Sequence, residues 1–357
     1  MRGWGGDPVA FPGGGERGPH PADAKARTVL RMMLAQWLRL ETPPHAVVAT
    51  GLDLLAGGPR RLAHGVFSTL TKRDVTLPGA PTLPADVGAR WGDRASAIAA
   101  GLAEPPPLDL TLRDPAQTEQ WKVQLSADSL MPGHLRLPRG ANVEKLPGFA
   151  EGAWWVQDLA ASLPARLLGE GDGRHVLDLC AAPGGKTLQL AAQGWQVTAL
   201  DISKRRLDLL KANLKRTGLK AGIVRADALT WEPRHQFDAI LLDAPCTATG
   251  TARRHPDVLH RIGQRQIDEM AELQAALLER AQSWLKPGGT LVYATCSLEQ
   301  AEGEDRAAKV SLPVAAITQD ECPSGLAPTA EGWVRTDPGM LAEQGGLDGF
   351  FIARWQR

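Results

Sequence analysis

The sequence predicts an α/β protein with a doubly wound, mostly parallel sheet, preceded by helices and a small α+β subdomain. From residue 175 onward, near-continuous apolar strands alternate with helices, a pattern typical of strands that are buried on both faces. A Gly-rich turn follows the first of these strands. Asp residues follow the next three strands, at the edge where open parallel sheets bind their ligands.

The composition is that of a globular chain. Of the 357 residues, 43% are hydrophobic, which excludes a disordered chain. The 40 basic and 40 acidic side chains balance, which argues against a surface that binds nucleic acid over its whole extent. No apolar run approaches about 18 residues, so we expect no membrane span. Met1–His20 lacks the apolar stretch of a secretory signal.

Cysteine usage favours a reducing cytosol. The four cysteines are widely spaced and never paired as CxxC, which argues against a disulfide scaffold and against a local zinc site. We therefore predict no metal and a cytoplasmic protein.

The first 75 residues should form a tail followed by helices. Residues 1–22 are predicted to be a flexible tail. Amphipathic spacing predicts helices within residues 23–75, over Ala24–Leu40, Ala46–Ala56 and Arg61–Lys72. The Pro-rich stretch Leu77–Pro84 indicates a linker.

Residues 76–147 are predicted to form the small α+β subdomain, which ends near Pro147. Its predicted elements are a helix over Ala85–Ala103, a strand over Leu108–Leu112, a helix over Asp114–Val123 and a strand over His134–Leu137.

The larger α/β domain should span residues 148–357. Its predicted strands are His175–Cys180, Gln196–Ile202, Gly222–Ala226, Phe237–Asp243, Thr290–Ala294 and Gly349–Trp355. Its predicted helices include Lys186–Ala192, Lys204–Thr217 and the long Gln264–Leu285.

The turn after the first strand of this domain is a candidate nucleoside site. It reads Cys180-Ala181-Ala182-Pro183-Gly184-Gly185-Lys186. A phosphate-binding P-loop needs Gly where Cys180 stands, and the dinucleotide pattern GxGxxG is absent. A plain strand-to-helix turn without a ligand is the alternative.

Three acids favour a ligand at this edge. Asp201 ends the second strand, where an acid can accept hydrogen bonds from a ribose diol. Asp227 follows the third strand and Asp243 ends the fourth. A nucleoside cofactor without a phosphate, such as S-adenosylmethionine, fits this pattern. Lys186 would either bind the carboxylate of that cofactor or simply solvate a helix start.

Two cysteines should meet at neighbouring strand ends. Cys246 follows the fourth strand, beside Asp243, and Cys296 follows the fifth. Adjacent strands lie about 4.8 Å apart, so both sulfurs should face one site. Two thiols and a carboxyl suit methylation of a pyrimidine at carbon 5, because addition of a thiolate to carbon 6 turns the ring into a nucleophilic enamine. Inert buried cysteines are the alternative.

The motifs resemble those of the bacterial RNA cytosine-C5 methyltransferases of the Fmu/Sun family, and most of all its 16S ribosomal RNA enzymes. The matching runs are VLDLCAAPGGKT at Val176–Thr187, LDAPC at Leu242–Cys246, ATCSLE at Ala294–Glu299, GAWWVQDLA at Gly152–Ala160, RRHPDV at Arg253–Val258 and DGFF at Asp348–Phe351. The resemblance covers about Pro105 to the C-terminus. It implies a Rossmann-like class I methyltransferase fold with a seven-stranded sheet, and S-adenosylmethionine as cofactor.

The resemblance also implies roles for the matching residues. Cys296 would attack carbon 6 of the cytosine, Cys246 would assist product release, and Asp243 would contact the base near the methyl group. DNA cytosine methyltransferases use the Pro-Cys cysteine as the nucleophile instead. The implied cofactor set comprises Cys180, Ala181, Ala182, Pro183, Gly184, Gly185, Lys186, Asp201, Arg206, Asp227 and Asp243.

The implied substrate is RNA, with 16S rRNA favoured over tRNA and the target cytosine flipped out of its stack. Arg253, Arg254 and His255 follow the Cys246 loop and are the candidates for phosphate contacts. Residues 28–73 resemble only the second half of the NusB-like helical domain found in such enzymes. We expect a monomer. Two other classes stay open, a non-catalytic RNA-binding assembly factor and a redox-regulated protein with a Cys246–Cys296 disulfide.

Overall fold

The computed structural model describes residues 23–357, and the predicted tail over residues 1–22 lies outside them. Those residues divide into two compact units, residues 23–81 and 82–357. The division falls inside the predicted linker. None of the helices within residues 23–357 is long and apolar enough to cross a membrane.

The first unit is a cluster of helices. Its helices are α1 (Asp23–Arg39), α2 (Pro44–Gly51) and α3 (Gly57–Lys72). Met33 and Phe67 are completely or almost completely buried between them, and the Trp37 ring packs edge-on against Phe67. α1 therefore buries one face against α3, as an amphipathic helix does.

The second unit begins with two short helices. The single helix predicted over Ala85–Ala103 is wrong, because the chain forms α4 (Ala85–Trp91) and α5 (Ala95–Gly101). The break falls at Gly92, which has a φ of 53°, a value that glycine adopts at little cost. Val87, Trp91 and Ile98 from these helices pack against residues that follow the Cys246 loop.

A three-stranded antiparallel sheet follows. Its strands are β1 (Leu108–Leu112), β2 (His134–Leu137) and β3 (Trp154–Val156), in the order β2-β1-β3, with α6 (Thr118–Leu125) between β1 and β2. The predicted subdomain boundary at Pro147 is wrong, since β3 pairs with β1 through Leu110 and Val156. Both sheets belong to the same unit.

The larger sheet has seven strands in the order β6-β5-β4-β7-β8-β10-β9. Its strands are β4 (His175–Leu179), β5 (Gln196–Asp201), β6 (Gly222–Arg225), β7 (Phe237–Asp243), β8 (Leu285–Thr295), β9 (Val334–Thr336) and β10 (Phe350–Gln356). The flanking helices are α7 (Leu159–Arg166), α8 (Gly185–Ala192), α9 (Lys204–Thr217), α10 (Val258–Arg261), α11 (Gln264–Trp284) and α12 (Glu304–Ala307).

Strands β4 to β8 run parallel, whereas β10 is antiparallel to both β8 and β9. Apolar clusters cover both faces of the sheet, as the near-continuous apolar strands predicted. The sequence missed the short β9, and the predicted start of β8 at Thr290 is five residues late because Pro287-Gly288-Gly289 lies inside the strand. The strand order turns at β4, so the loops after β4, β5 and β7 share one edge.

Candidate active site

The loop after β4 is anchored by the acid that ends β5. Asp201 is 3% exposed, and its carboxylate accepts hydrogen bonds from the Ala182 amide at 3.1 Å and from the Ser203 amide at 2.8 Å. The Arg206 guanidinium donates to the Ala182 carbonyl and lies 3.7 Å from Asp201. The predicted members Ala182, Asp201 and Arg206 therefore form one contact group.

Gly184 and Gly185 take the chain from the loop into α8. Gly184 has a φ of 111°, and a Cβ there would lie 2.9 Å from Leu210 Cγ on α9. Glycine is therefore required at position 184 by both backbone and space. Cys180, Ala181 and Pro183 complete the turn, and burial raises the pKa of the Cys180 thiol to about 12.

Asp178 belongs to this site although the sequence did not single it out. It is completely buried at the end of β4, and Thr187 on α8 donates a hydrogen bond to its Oδ2 at 2.6 Å. Its Oδ1 has no hydrogen-bond partner among residues 23–357. Burial raises the pKa of Asp178 to about 7. Its place in the motif beside the glycine loop was the available signal.

The Lys186 side chain points toward Asp243 at the end of β7 and not into solvent. It is 8% exposed, and its Nζ donates to Asp243 Oδ2 at 2.8 Å. The interpretation of Lys186 as a solvated helix start is therefore wrong. Asp227 stays exposed at the end of the neighbouring loop, where its carboxylate accepts a hydrogen bond from the Leu229 amide at 2.9 Å.

This edge of the sheet fits S-adenosylmethionine. The charges of Asp201 and Asp243 act on buried Asp178, while Lys186 pairs with Asp243 and Arg206 lies beside Asp201. A ligand with sulfonium and ammonium charges suits this acidic surplus. The unpartnered buried oxygen of Asp178 is the second observation in favour, because buried polar atoms are nearly always paired.

The two predicted cysteines meet. Asp243 on β7 is in register with Ala294 on β8, and the Sγ atoms of Cys246 and Cys296 lie 3.4 Å apart. Both are free thiols. A hydrogen bond with Cys296, together with burial, raises the pKa of Cys246 well above its usual value. The Cys246 side chain is therefore a protonated thiol at neutral pH.

A buried carboxylate behind the cysteines was missed by the sequence analysis. Glu302 is completely buried and is the last residue of the short helical turn Gln300–Glu302. Its carboxylate accepts hydrogen bonds from Thr247 and Ser297, the residues that follow Cys246 and Cys296. Acids are common in loops, so only the three-dimensional contacts distinguish this one.

Two of the three predicted RNA contacts are engaged by other groups of the protein itself. Arg254 forms ion pairs with Asp158, at 2.8 Å, and with Asp348, and Arg253 donates to the Gly345 carbonyl. These arginines therefore join the loop after Cys246 to the start of α7 and to the segment before β10. His255 is exposed and has no such ion pair among the described residues.

A cavity of about 370 Å³ opens beside Cys246. Its walls come from the Cys246 loop, α10 and the start of α11. The polar and sulfur-containing lining residues include Cys246, Thr247, His255, Arg261, Gln266 and Glu269. The volume lies within the range of small-ligand pockets, about 300–1,000 Å³.

The strand order, the acid-lined glycine loop and the adjoining thiols define a class I S-adenosylmethionine-dependent methyltransferase. A family model described as 16S rRNA methyltransferase RsmB/F matches residues 165–356. The chain belongs to this family. The predicted fold class, family, enzyme class and cofactor are thereby confirmed.

Curated relatives agree with the family. Ribosomal RNA small subunit methyltransferase B from Salmonella typhi is 36% identical over 374 aligned residues, which cover 94% of this chain and 83% of that protein. The protein of the same name from Salmonella arizonae is 35% identical over 371 residues, with the same coverage.

Two solved structures share the fold. A methyltransferase homolog protein from Pyrococcus horikoshii superposes with a TM-score of 0.61 at 28% identity, over 76% of this chain and 93% of that chain. NSun6 from Pyrococcus horikoshii superposes with a TM-score of 0.66 at 20% identity, over 76% of this chain and 98% of that chain, which supports the fold alone.

Asp178→Asn should change how stability depends on pH. The pKa of Asp178 is about 7 in the folded protein and about 3.9 in an unfolded chain, so its contribution to stability is complete below pH 3.9 and is lost as the pH rises through 7. We expect the free energy of unfolding of the variant, relative to wild type, to rise from pH 4 to pH 7 by up to about 1.4 kcal/mol per pH unit. Urea denaturation at each pH measures this difference.

Asp172→Asn is the matched control, because Asp172 is exposed and in the left-handed conformation that Asn tolerates. Its unfolding free energy should follow the wild-type curve. Parallel curves for Asp178→Asn and wild type would contradict the raised pKa.

Proposed function

We propose that the chain transfers a methyl group from S-adenosylmethionine to carbon 5 of a cytosine in 16S rRNA, through a covalent adduct between Cys296 and carbon 6. The observation that carries this proposal is the 3.4 Å approach of the Cys246 and Cys296 sulfurs, beside the ion pair of Asp243 with Lys186. The family membership supports the rRNA substrate, as does the name of the Salmonella typhi relative.

The first step is addition of the Cys296 thiolate to carbon 6. The new C6–S bond pushes the electron pair of the C5–C6 double bond onto carbon 5, and the Asp243 carboxyl favours this through a hydrogen bond at ring nitrogen 3. S-adenosylmethionine, held along the loop after β4, would supply the methyl group as an electrophile on a sulfonium, and the methyl–sulfur bond would break as carbon 5 bonds to the methyl group. The cysteine thus converts a weak carbon nucleophile into a strong one.

The second step restores the aromatic ring and frees the enzyme. The proton on carbon 5 leaves to solvent, its electron pair re-forms the C5–C6 double bond, and the C6–S bond breaks. The Cys246 thiol, 3.4 Å from the departing sulfur, donates its proton to Cys296 and is reprotonated from solvent. Its raised pKa suits an acid that must stay protonated until this step.

The cofactor would be held along the loop after β4. Asp201 fixes that loop through the Ala182 amide, while exposed Asp227 is available to a ribose or base. Lys186 has the side chain that would orient Asp243 toward the cytosine. Gly184 and Gly185 let the backbone approach a ligand closely.

The RNA would enter on the side of Cys246. A cytosine in a stack cannot reach two half-buried thiols, so the base must be flipped out or presented in a single-stranded segment. The cavity beside Cys246, with His255 and Arg261 in its walls, is suited to the target nucleotide or its neighbour. Arg253 and Arg254 would act on RNA indirectly, by holding this loop in place.

We further propose that the enzyme acts as a monomer in the cytoplasm. Residues of a single chain are sufficient to assemble the cysteine pair and the Lys186–Asp243 pair, and rRNA methylation with free thiols suits a reducing compartment.

Cys296→Ala should abolish methylation, because it removes the thiol that adds to carbon 6. Bisulfite sequencing of total RNA, from cells that lack the native gene product and carry either the wild-type chain or the variant, measures this. We expect a protected cytosine in 16S rRNA with the wild-type chain only.

A protected tRNA cytosine would instead identify the nearest alternative substrate. Protection retained in Cys296→Ala would reject Cys296 as the nucleophile. No protection with the wild-type chain would favour a non-catalytic RNA-binding factor.

Cys246→Ala should trap the covalent adduct, because methyl transfer proceeds but the proton donor for the departing sulfur is missing. Denaturing gel electrophoresis of the variant with labelled RNA and S-adenosylmethionine should show a shifted protein–RNA band. Cys246→Ala,Cys296→Ala is the matched control and should give no band. Rapid turnover by Cys246→Ala without a shifted band would contradict the release role.

A further inference from the structure

Glu302 is a buried carboxylate whose two oxygens face only hydrogen-bond donors. Oε1 accepts from the hydroxyls of Thr247 and Ser297, the latter at 2.7 Å. Oε2 accepts from the Thr247 amide and from Gln274 Nε2, each at 2.9 Å. These four donors leave neither oxygen of the buried carboxyl group without a partner.

The donors come from both cysteine loops. Thr247 directly follows Cys246, and Ser297 directly follows Cys296. Gln274 of α11 also donates to the Pro245 carbonyl at 2.8 Å, so the residue before Cys246 is held as well. One carboxylate thus joins the backbone around Cys246 to the residue next to Cys296.

Glu302 is itself held firmly. The Tyr293 hydroxyl on β8 donates to the Glu302 carbonyl at 2.7 Å. Tyr293 and Glu302 are both completely buried. Loss of the Glu302 side chain would therefore leave its donors unsatisfied without displacing β8, and the two cysteine loops would lose their shared anchor.

We propose that Glu302 is a positioning residue that sets the separation of Cys246 and Cys296 and thereby controls release of the methylated RNA. The inference rests on the proposed function, because it assigns Glu302 to the step in which Cys246 gives its proton to Cys296. A displacement of about 1 Å at reacting atoms can cost about 10²-fold in rate, so the spacing of the sulfurs matters for that transfer.

Electrostatics act in the same direction. The hydrogen bond with Cys296 is the largest cause of the raised pKa of Cys246, burial is the second, and the charges of Cys296 and Glu302 add to it. Tyr293 interacts with both Cys246 and Glu302. The titratable groups of the cavity beside Cys246 are His255, Arg261 and Glu269. Glu302 therefore helps to keep Cys246 as the thiol that donates.

Glu302→Ala should accumulate the covalent RNA adduct, as Cys246→Ala does. We expect adduct formation to proceed and its breakdown to slow by about ten- to a hundred-fold. Single-turnover quench experiments with labelled RNA measure both rates. Protein competent to bind S-adenosylmethionine, counted by calorimetric titration, provides the reference, so that a loss of folded protein does not pass for a slow release.

Glu299→Ala is the matched control for a buried acid on the same segment. Glu299 is 3% exposed, but its carboxylate accepts from Arg90 and Trp91 of α4, at 2.9 and 3.2 Å, and not from residues beside the cysteines. It should lower stability without changing the ratio of adduct formation to breakdown. Glu302→Gln keeps an acceptor for the Thr247 amide and for Gln274 and should recover part of the release rate.

A double variant tests whether Glu302 acts through Cys246. In a Cys246→Ala background, Glu302→Ala should add less than two-fold to the adduct lifetime, because coupled residues are not additive. If Glu302→Ala does not fold, Thr247→Val and Ser297→Ala each remove one donor and should each give a smaller slowing of release.

The outcomes separate this inference from the proposed function. Absence of an adduct in Cys246→Ala would overturn the proposed cysteine chemistry itself. An adduct in Cys246→Ala with normal release in Glu302→Ala would overturn only the role of Glu302. Additive effects in the double variant would also reject it, since Glu302 would then act independently of Cys246.

Discussion

The parallel pairing of β7 with β8 is the constraint on which the site depends. Asp243 is in register with Ala294, and the Ala244 amide continues the pairing by donating to the Ala294 carbonyl at 2.9 Å. Beyond the strands, the Gly250 amide donates to the Cys296 carbonyl at 3.0 Å. Because these bonds fix the loops that follow β7 and β8, the two sulfurs meet although the cysteines are far apart in sequence. A Cβ at Gly250 would lie 2.0 Å from the Gly349 carbonyl oxygen. Position 250 therefore requires glycine, because the segment before β10 passes directly over the Cys246 loop there.

Buried charge is the second organising feature, and it is paired at almost every point. Lys186 meets Asp243, Arg254 meets Asp158 and Asp348, and Arg335 meets Glu304. An unpaired buried ion costs several kcal/mol, so these pairs tie the loops together more selectively than apolar contacts would. Asp178 and Glu302 are buried acids outside these ion pairs. Neutral donors hold Glu302, whereas one Asp178 oxygen lacks a partner within residues 23–357 and the pKa of Asp178 is raised to about 7. A buried acid with a raised pKa and an unpartnered oxygen is typical of a ligand-binding site.

Local patterns in the sequence predicted the sheet and the meeting of the cysteines, because strand alternation and parallel order decide both. The same patterns did not predict the ends of elements that depend on tertiary contacts. Gly92 breaks the predicted helix at 85–103, and Pro287 lies inside β8 although proline usually ends a strand. The basic run at 253–255 shows the limit most clearly. A run of charge predicts side chains that are available to a ligand, but Arg254 pairs with two carboxylates that are remote in sequence, and no local pattern contains that information.

The segment from Ser297 to Glu302 connects the cysteine site to the helices that begin the second unit. Glu299 receives Arg90 and Trp91 from α4, while Glu302 receives the residues beside both cysteines. A carboxylate with several donors is directional and has no second arrangement of equal energy nearby, unlike an apolar contact that can slide. Two such carboxylates, three residues apart on a short turn, make α4 and the cysteine loops parts of one rigid framework. Breakage of the Glu302 group leaves buried donors beside both cysteines without acceptors, so the fold penalises movement of the two thiols relative to each other, whereas breakage of the Glu299 group affects only the attachment of α4.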